Sequence, residues 1–197
     1  MDSKKYKYMS SDELLRFMDA VRQSGNLRDR VLFSFIYKYG LRLREALEMK
    51  FSDIHPKFVK LTVKRLKGGI DRDYSISPKD ARLLKRYLKE RMTYKNSDVN
   101  PFLFTSPKSL HGPMSSWAVQ KRMKQYCEVA GIPKDKCHPH ALRHSIAIHF
   151  LQEGRDIHFV RDYLGHTNLK TTQIYSELSP PDWFKRQQDA VENLPDF

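Results

Sequence analysis

Most hydrophobic positions of this chain recur at helical spacing, and one short stretch does not. Ser10-Ser11-Asp12-Glu13 has the form of a capping box, with Met9 and Leu14 placed as its hydrophobic staple. Leu14, Phe17, Met18 and Val21 follow at helical intervals and predict a first helix. Val31, Leu32, Phe35, Ile36 and Tyr39 predict a second that stops near Gly40, and Leu43, Ala46 and Leu47 predict a third. Over 58–66 the period changes: Val59, Leu61 and Val63 alternate with Lys60, Thr62 and Lys64, as in a half-buried strand. Gly68-Gly69 predicts the turn and Tyr74 and Ile76 the return strand, which sets Lys67 at the tip of a β-hairpin.

Ser77-Pro78 opens another helix, with serine as cap, proline at the first helical position and Ala81, Leu84 and Leu88 as its buried stripe. It is expected to end before Asn100-Pro101, ahead of a short strand at Phe102-Leu103-Phe104. A helix over 116–130 is closed by Gly131 and Pro133. Helices over 139–153, 156–164 and 168–177 then crowd together, with Gly154 and Gly165 placed as stops. Ser179-Pro180-Pro181 breaks the run before a last helix carrying Trp183, Phe184, Gln187, Ala190 and Val191. The predicted fold class is mainly α with a small antiparallel β-sheet (α+β).

Size and charge narrow this picture. A chain of 197 residues suits one domain with an ordinary core. Lys and Arg number 36 against 23 Asp and Glu, a formal charge of +13 that attracts a polyanion, with nucleic acid the first partner to consider. A basic surface serving only solubility is the plainer alternative. Cys127 and Cys137 lack CxxC spacing and the N-terminus has no apolar h-region, so a reducing, cytoplasmic setting is expected. No stretch approaches the ~20 apolar residues of a membrane span.

Candidate chemistry lies in three places. In His138-Pro139-His140-Ala141-Leu142-Arg143-His144, His140 and Arg143 are three apart, on one helix face from which both reach one anion. An isolated HxxR is more often a basic helix end. The histidines here, with His149, His158 and His166, raise metal binding, yet the glutamate of HExxH and paired cysteines are missing, so no metal is expected. In Gly40-Leu41-Arg42-Leu43-Arg44-Glu45, Glu45 stands three residues beyond Arg42 and is able to orient its guanidinium, although Arg-x-x-Glu alone is a routine ion pair. In Leu164-Gly165-His166-Thr167-Asn168, His166 precedes Tyr175 by nine positions.

In order, GLRxxE, a lysine at a Gly-rich hairpin tip, HxLRHS, LGH and the later tyrosine resemble the tyrosine recombinase, or phage integrase, family across 10–178. The resemblance implies that family's catalytic-domain fold and six catalytic residues: Arg42, Lys67, His140, Arg143, His166 and Tyr175. Lys64, on the same hairpin, competes with Lys67. By the same analogy the two arginines hold a DNA phosphate, and His140 and His166 donate hydrogen bonds or help deprotonate Tyr175. Lys67 protonates the 5′-oxygen, and Tyr175 forms a 3′-phosphotyrosine without metal, nucleotide or other cofactor. Implied partners are double-stranded DNA and further copies of the chain, as a homo-tetramer on synapsed sites, nucleoid-associated if the source is prokaryotic or viral. Residues 1–178 are expected to form the catalytic domain, and 179–197 a helical segment docking on its own domain or a neighbouring protomer. The separate N-terminal core-binding domain of many members is missing from these residues, as in a catalytic-domain-only member or a fragment of a longer integrase. Type IB topoisomerase-like strand relaxation and a catalytically silent DNA-binding regulator are the rival functions.

Overall fold

The computed structural model describes residues 7–66, 68–95 and 97–178. Lys67 and the last predicted helix, with Trp183 and Phe184, lie outside the described residues.

Helix α1 (Ser11–Gln23) starts on the expected capping box: Glu13 N–H donates to Ser10 Oγ at 3.2 Å and Ser10 N–H to the Glu13 carboxylate at 2.8 Å. Helix α2 (Leu27–Lys38) is apolar on several sides and is the centre of the core, touching α1, α3 (Leu43–Glu48), α4 (Pro78–Arg91) and α6 (Pro139–Gln152). Rings of Phe17, Phe33 and Tyr126 meet edge to face at 5.4 to 6.5 Å and join α1 and α2 to α5 (Ser116–Val129). Helices α7 (Ile157–Leu164) and α8 (Lys170–Leu178) pack on α6 around a second apolar cluster of Ile146, Ala147, Ile148, Val160, Leu164 and Tyr175. Ahead of α1, Met9 is pinned to α6: its N–H donates to Ser145 Oγ at 2.8 Å and its carbonyl lies 3.0 Å from His149 Nε2.

Strands β1 (Lys60–Val63) and β2 (Arg72–Ser75) pair antiparallel, Lys60 opposite Ser75 and Val63 opposite Arg72. Leu61 and Val63 point inward as the alternation requires, but Val59 is 54% exposed. The reason is Phe58, whose φ of 57° turns the chain just before the strand and resets the phase. The strands are joined by residues 64–71, a longer connection than the expected Gly-Gly turn. Arg65 continues the inward phase of Leu61 and Val63 into the interior, and its N–H donates to the Asp71 carboxylate at 2.7 Å.

Helix α4 stops at Arg91, ahead of Asn100 as expected, and the buried Arg91 guanidinium donates to the Asn100 carbonyl at 3.1 Å. One further expectation is corrected. Phe102-Leu103-Phe104 forms no strand, only an isolated bridge between Lys50 and Phe102. Its apolar run is explained by packing, since Phe104 is buried against the rings of Phe35 and Tyr87. Among the described residues, no helix is long and apolar enough to cross a membrane.

Candidate active site

The site is built where the α2–α3 corner meets the end of α7. Gly40 has φ 55°, and an added Cβ would stand 2.5 Å from Leu164 Cδ2, so glycine permits both the turn and the close approach. Arg42 is the N-cap of α3. Its N–H donates to Glu45 Oε2 at 2.8 Å and its guanidinium to Glu45 Oε1 at 2.7 Å. The Glu45 side chain is fully buried, whereas that of Arg42 keeps 25% exposure and faces solvent above it. Arg65 Nη1 donates to Glu45 Oε2 at 2.8 Å, and Arg143 Nη1 lies 3.7 Å from the same oxygen. Burial pushes the Glu45 carboxyl up, but the Arg42 N–H, Arg65, the Arg42 side chain and Arg143 together outweigh it and hold the group below the usual range. One carboxylate thus serves three guanidiniums, and the surplus positive charge is set for an anion.

On α6, His138 caps the helix, accepting from the Ala141 N–H at 3.2 Å, and Pro139 occupies the first turn. Arg143, 3% exposed, donates to the carbonyl of Gly40 through Nη1, and through Nη2 to the Leu164 carbonyl at 3.2 Å. Nη2 also lies 2.7 Å from His166 Nε2. A guanidinium only donates, so Nε2 is the acceptor and Nδ1 carries the hydrogen, directed at Thr172 Oγ1 at 2.9 Å. His166 follows Gly165, which ends α7 at φ 67°. Burial, then Arg143, Arg42 and Arg65, pushes the His166 imidazole down to about 3, so it is neutral at ordinary pH. Burial, then Arg42 and Arg65, lowers Arg143 to about 10, which leaves it charged. His140 stands at the solvent edge; desolvation by the surrounding protein, then His138, Arg143 and Arg42, holds it below its ordinary range.

Tyr175 on α8 is 2% exposed, and its hydroxyl lies 2.9 Å from His144 Nδ1. His144 is one helical turn beyond His140, with ring centroids 6.4 Å apart. Burial, then His140, His138 and Arg143, pushes the His144 imidazole down to about 4. A neutral ring is therefore in place to accept the phenolic hydrogen.

The structure gathers Arg42, Arg143 and His166 through shared partners, with His140 and Tyr175 on the adjoining turns of α6 and α8. Lys67 is outside the described residues, though its hairpin reaches the site: Leu66 N–H donates to Glu45 Oε1 at 3.4 Å and Ile70 N–H to the Gly165 carbonyl at 3.2 Å. Lys64, the competing lysine, pairs with Asp53 at 2.8 Å. Sequence reasoning gave no role to Arg65, His144 or Thr172. Arg65 carried a readable signal, a charge in phase with the buried Leu61 and Val63. His144 carried a weaker one, at i+4 from His140.

A sequence profile of the phage integrase family matches residues 7–180. The chain belongs to the phage integrase family. Among its relatives, tyrosine recombinase XerA of Pyrococcus furiosus is 33% identical over 190 residues, covering 94% of this chain and 61% of the relative. The crystal structure of XerA recombinase superposes with a TM-score of 0.74 at 28% identity, covering 96% of this chain and 66% of that one. XerH recombinase bound to palindromic difH substrate, in a post-cleavage complex, gives 0.78 at 25% identity, with 96% and 54% covered. The mainly helical fold with its small antiparallel sheet is therefore the fold of tyrosine recombinase catalytic domains. The chain spans about six-tenths of the length of the curated relatives it matches.

Proposed function

We propose that this phage integrase family member is the catalytic domain of a site-specific DNA recombinase that breaks and rejoins strands through a 3′-phosphotyrosine at Tyr175. The observation that carries the reading is the two-arginine clamp: Arg42 from the α3 cap and Arg143 from α6 are drawn to one corner by the buried Glu45 carboxylate and the Gly40 carbonyl. Their remaining donors neutralise the charge that builds on the nonbridging oxygens as a phosphodiester becomes five-coordinate. His140, at the solvent edge, adds a hydrogen bond to those oxygens, and His166, whose Nε2 accepts from Arg143 Nη2, orients that guanidinium rather than donating to the phosphate.

In the proposed step the Tyr175 oxygen attacks phosphorus and the bond from phosphorus to the 5′-oxygen breaks. The phenolic proton passes to a neutral imidazole, with His144 at hydrogen-bond distance, and Lys67 protonates the departing 5′-oxygen. The phosphotyrosine conserves the energy of the phosphodiester, so a 5′-hydroxyl reseals it without ATP. The formal charge of +13 and the palindromic difH substrate bound by XerH support double-stranded DNA as partner. We further assign residues 1–178 to the catalytic domain, 179–197 to a segment docking on a neighbouring protomer, and the active assembly to a homo-tetramer on two synapsed sites. The setting consistent with these partners is the cytoplasm or nucleoid.

The test is incubation of the chain with a library of nicked duplexes of random sequence in excess EDTA, followed by denaturing electrophoresis. A covalent protein–DNA adduct is expected, and Tyr175→Phe should abolish it. No adduct from the wild type, or an adduct surviving the substitution, would overturn the reading.

A further inference from the structure

We propose that Arg65 is a positioning residue that sets the two clamp arginines, an inference that rests on the function proposed above. The Arg65 side chain has 0% exposure, so it is closed to solvent and to DNA. Its two terminal nitrogens are spent on the frame of the site. Nη1 donates to Glu45 Oε2 at 2.8 Å and to the Gly40 carbonyl at 3.1 Å. Nη2 donates to the Tyr39 carbonyl at 3.1 Å, the Tyr163 carbonyl at 3.2 Å and the Tyr74 hydroxyl.

These acceptors are not arbitrary. Glu45 holds Arg42, the Gly40 carbonyl accepts from Arg143, and Tyr163 immediately precedes the Leu164 whose carbonyl also accepts from Arg143. Arg65 therefore shares one acceptor with each clamp arginine, tying the α2–α3 corner, the end of α7 and the hairpin into one frame. A flat fork with donors in fixed directions reaches all of these at once, and a lysine ammonium at the end of a flexible stem does not. Arg65 acts through Glu45 and Gly40: it fixes where the two acceptors sit and hence where Arg42 and Arg143 aim their remaining donors. Misplacing a clamp by about 1 Å is enough to cost on the order of 10²-fold in rate.

The test separates this role from a general packing role by changing the charge on the scissile phosphate. Single-turnover release of the 5′-hydroxyl strand is followed at saturating DNA on a nicked duplex with an ordinary phosphate, and on the same duplex with a methylphosphonate there. The methylphosphonate lacks one nonbridging charge and depends less on the clamp. Arg65→Met is expected to slow release by about 10²-fold on the phosphate and by under about tenfold on the methylphosphonate. Arg65→Lys keeps the charge and should stay slow on the phosphate. Tyr74→Phe removes one Arg65 partner, leaves the clamp residues untouched and should show the same asymmetry at about threefold, which keeps the test available if Arg65→Met fails to fold. Equal slowing on both substrates, or full activity in Arg65→Lys, would overturn the positioning role. A wild-type chain that releases no strand from either duplex would instead overturn the proposed function.

Discussion

Glu45→Gln keeps the volume of the side chain but only one of the two oxygens that accept from Arg42, and it removes the negative charge that Arg42, Arg65 and Arg143 share. Breaking a buried ion pair by deleting one partner leaves uncompensated charge behind, so this substitution should lower unfolding free energy by about 3 kcal/mol in urea titrations. A loss under about 1 kcal/mol would show that the arginines find other compensation. His166 gives a second prediction. An imidazole held neutral when folded but titrating near its ordinary value when unfolded leaves the unfolded state binding more protons below that value. Its share of stability is therefore full above about pH 6.5 and is lost as the pH falls toward the folded value. Between about pH 7 and about pH 5 the wild type should lose about 2 kcal/mol more than His166→Gln, and equal losses would contradict the assignment. At this scale Arg42, His140, Arg143, His166 and Tyr175 were readable as candidates because each stands in a motif of fixed spacing. Arg65 was readable only as a charge in phase with a buried face, and its role was not, because that depends on a carboxylate 20 positions away and on carbonyls from two helix ends. Thr172 carried no signal, since a threonine on a helix has no visible partner until the fold sets His166 beside it.

Elements were legible wherever local chemistry decides them. The α1 capping box, the Ser77-Pro78 start and the Gly165 stop stand where the sequence places them. What failed was the phase of Val59, set by the left-handed turn at its neighbour Phe58, and two features set by distant contacts: the hairpin connection, where Arg65 is buried against α2 and α7, and the missing strand at Phe102, where Phe104 packs on α2 and α4. Gly165 joins two of these elements. An added Cβ there would lie 2.8 Å from the Ile70 carbonyl and 2.9 Å from Arg65 Nε, besides straining a φ of 67°. Gly25 has a similar φ of 71° but open space around it. Gly25→Ala should therefore cost about 1 kcal/mol for backbone strain alone, and Gly165→Ala at least about 2 kcal/mol by thermal or urea unfolding. Equal costs would mean that the hairpin and α7 do not pack as tightly as the distances show.

For the whole molecule, mainly helical patterning reached the fold class, basic charge pointed to the proposed partner, and only the ordered motifs pointed to the proposed chemistry. Assembly was the least readable level, since the sequence around Trp183 and Phe184 is apolar without saying whether it docks on its own domain or on a neighbour. If that segment docks between protomers, the wild type should sediment as a tetramer on paired DNA sites, and a chain ending at residue 178 should bind single sites yet fail to form the tetramer. Tetramers from the truncated chain would remove the exchange. The central claim is that Tyr175 carries the DNA, and the direct measurement is protease digestion of the gel-purified adduct followed by tandem mass spectrometry of the nucleotide-bearing peptide. The account predicts a nucleotide joined through its 3′-phosphate to the Tyr175 oxygen, with the released strand ending in a 5′-hydroxyl. A nucleotide on any other side chain, or a 5′-phosphate linkage to the protein, would contradict it.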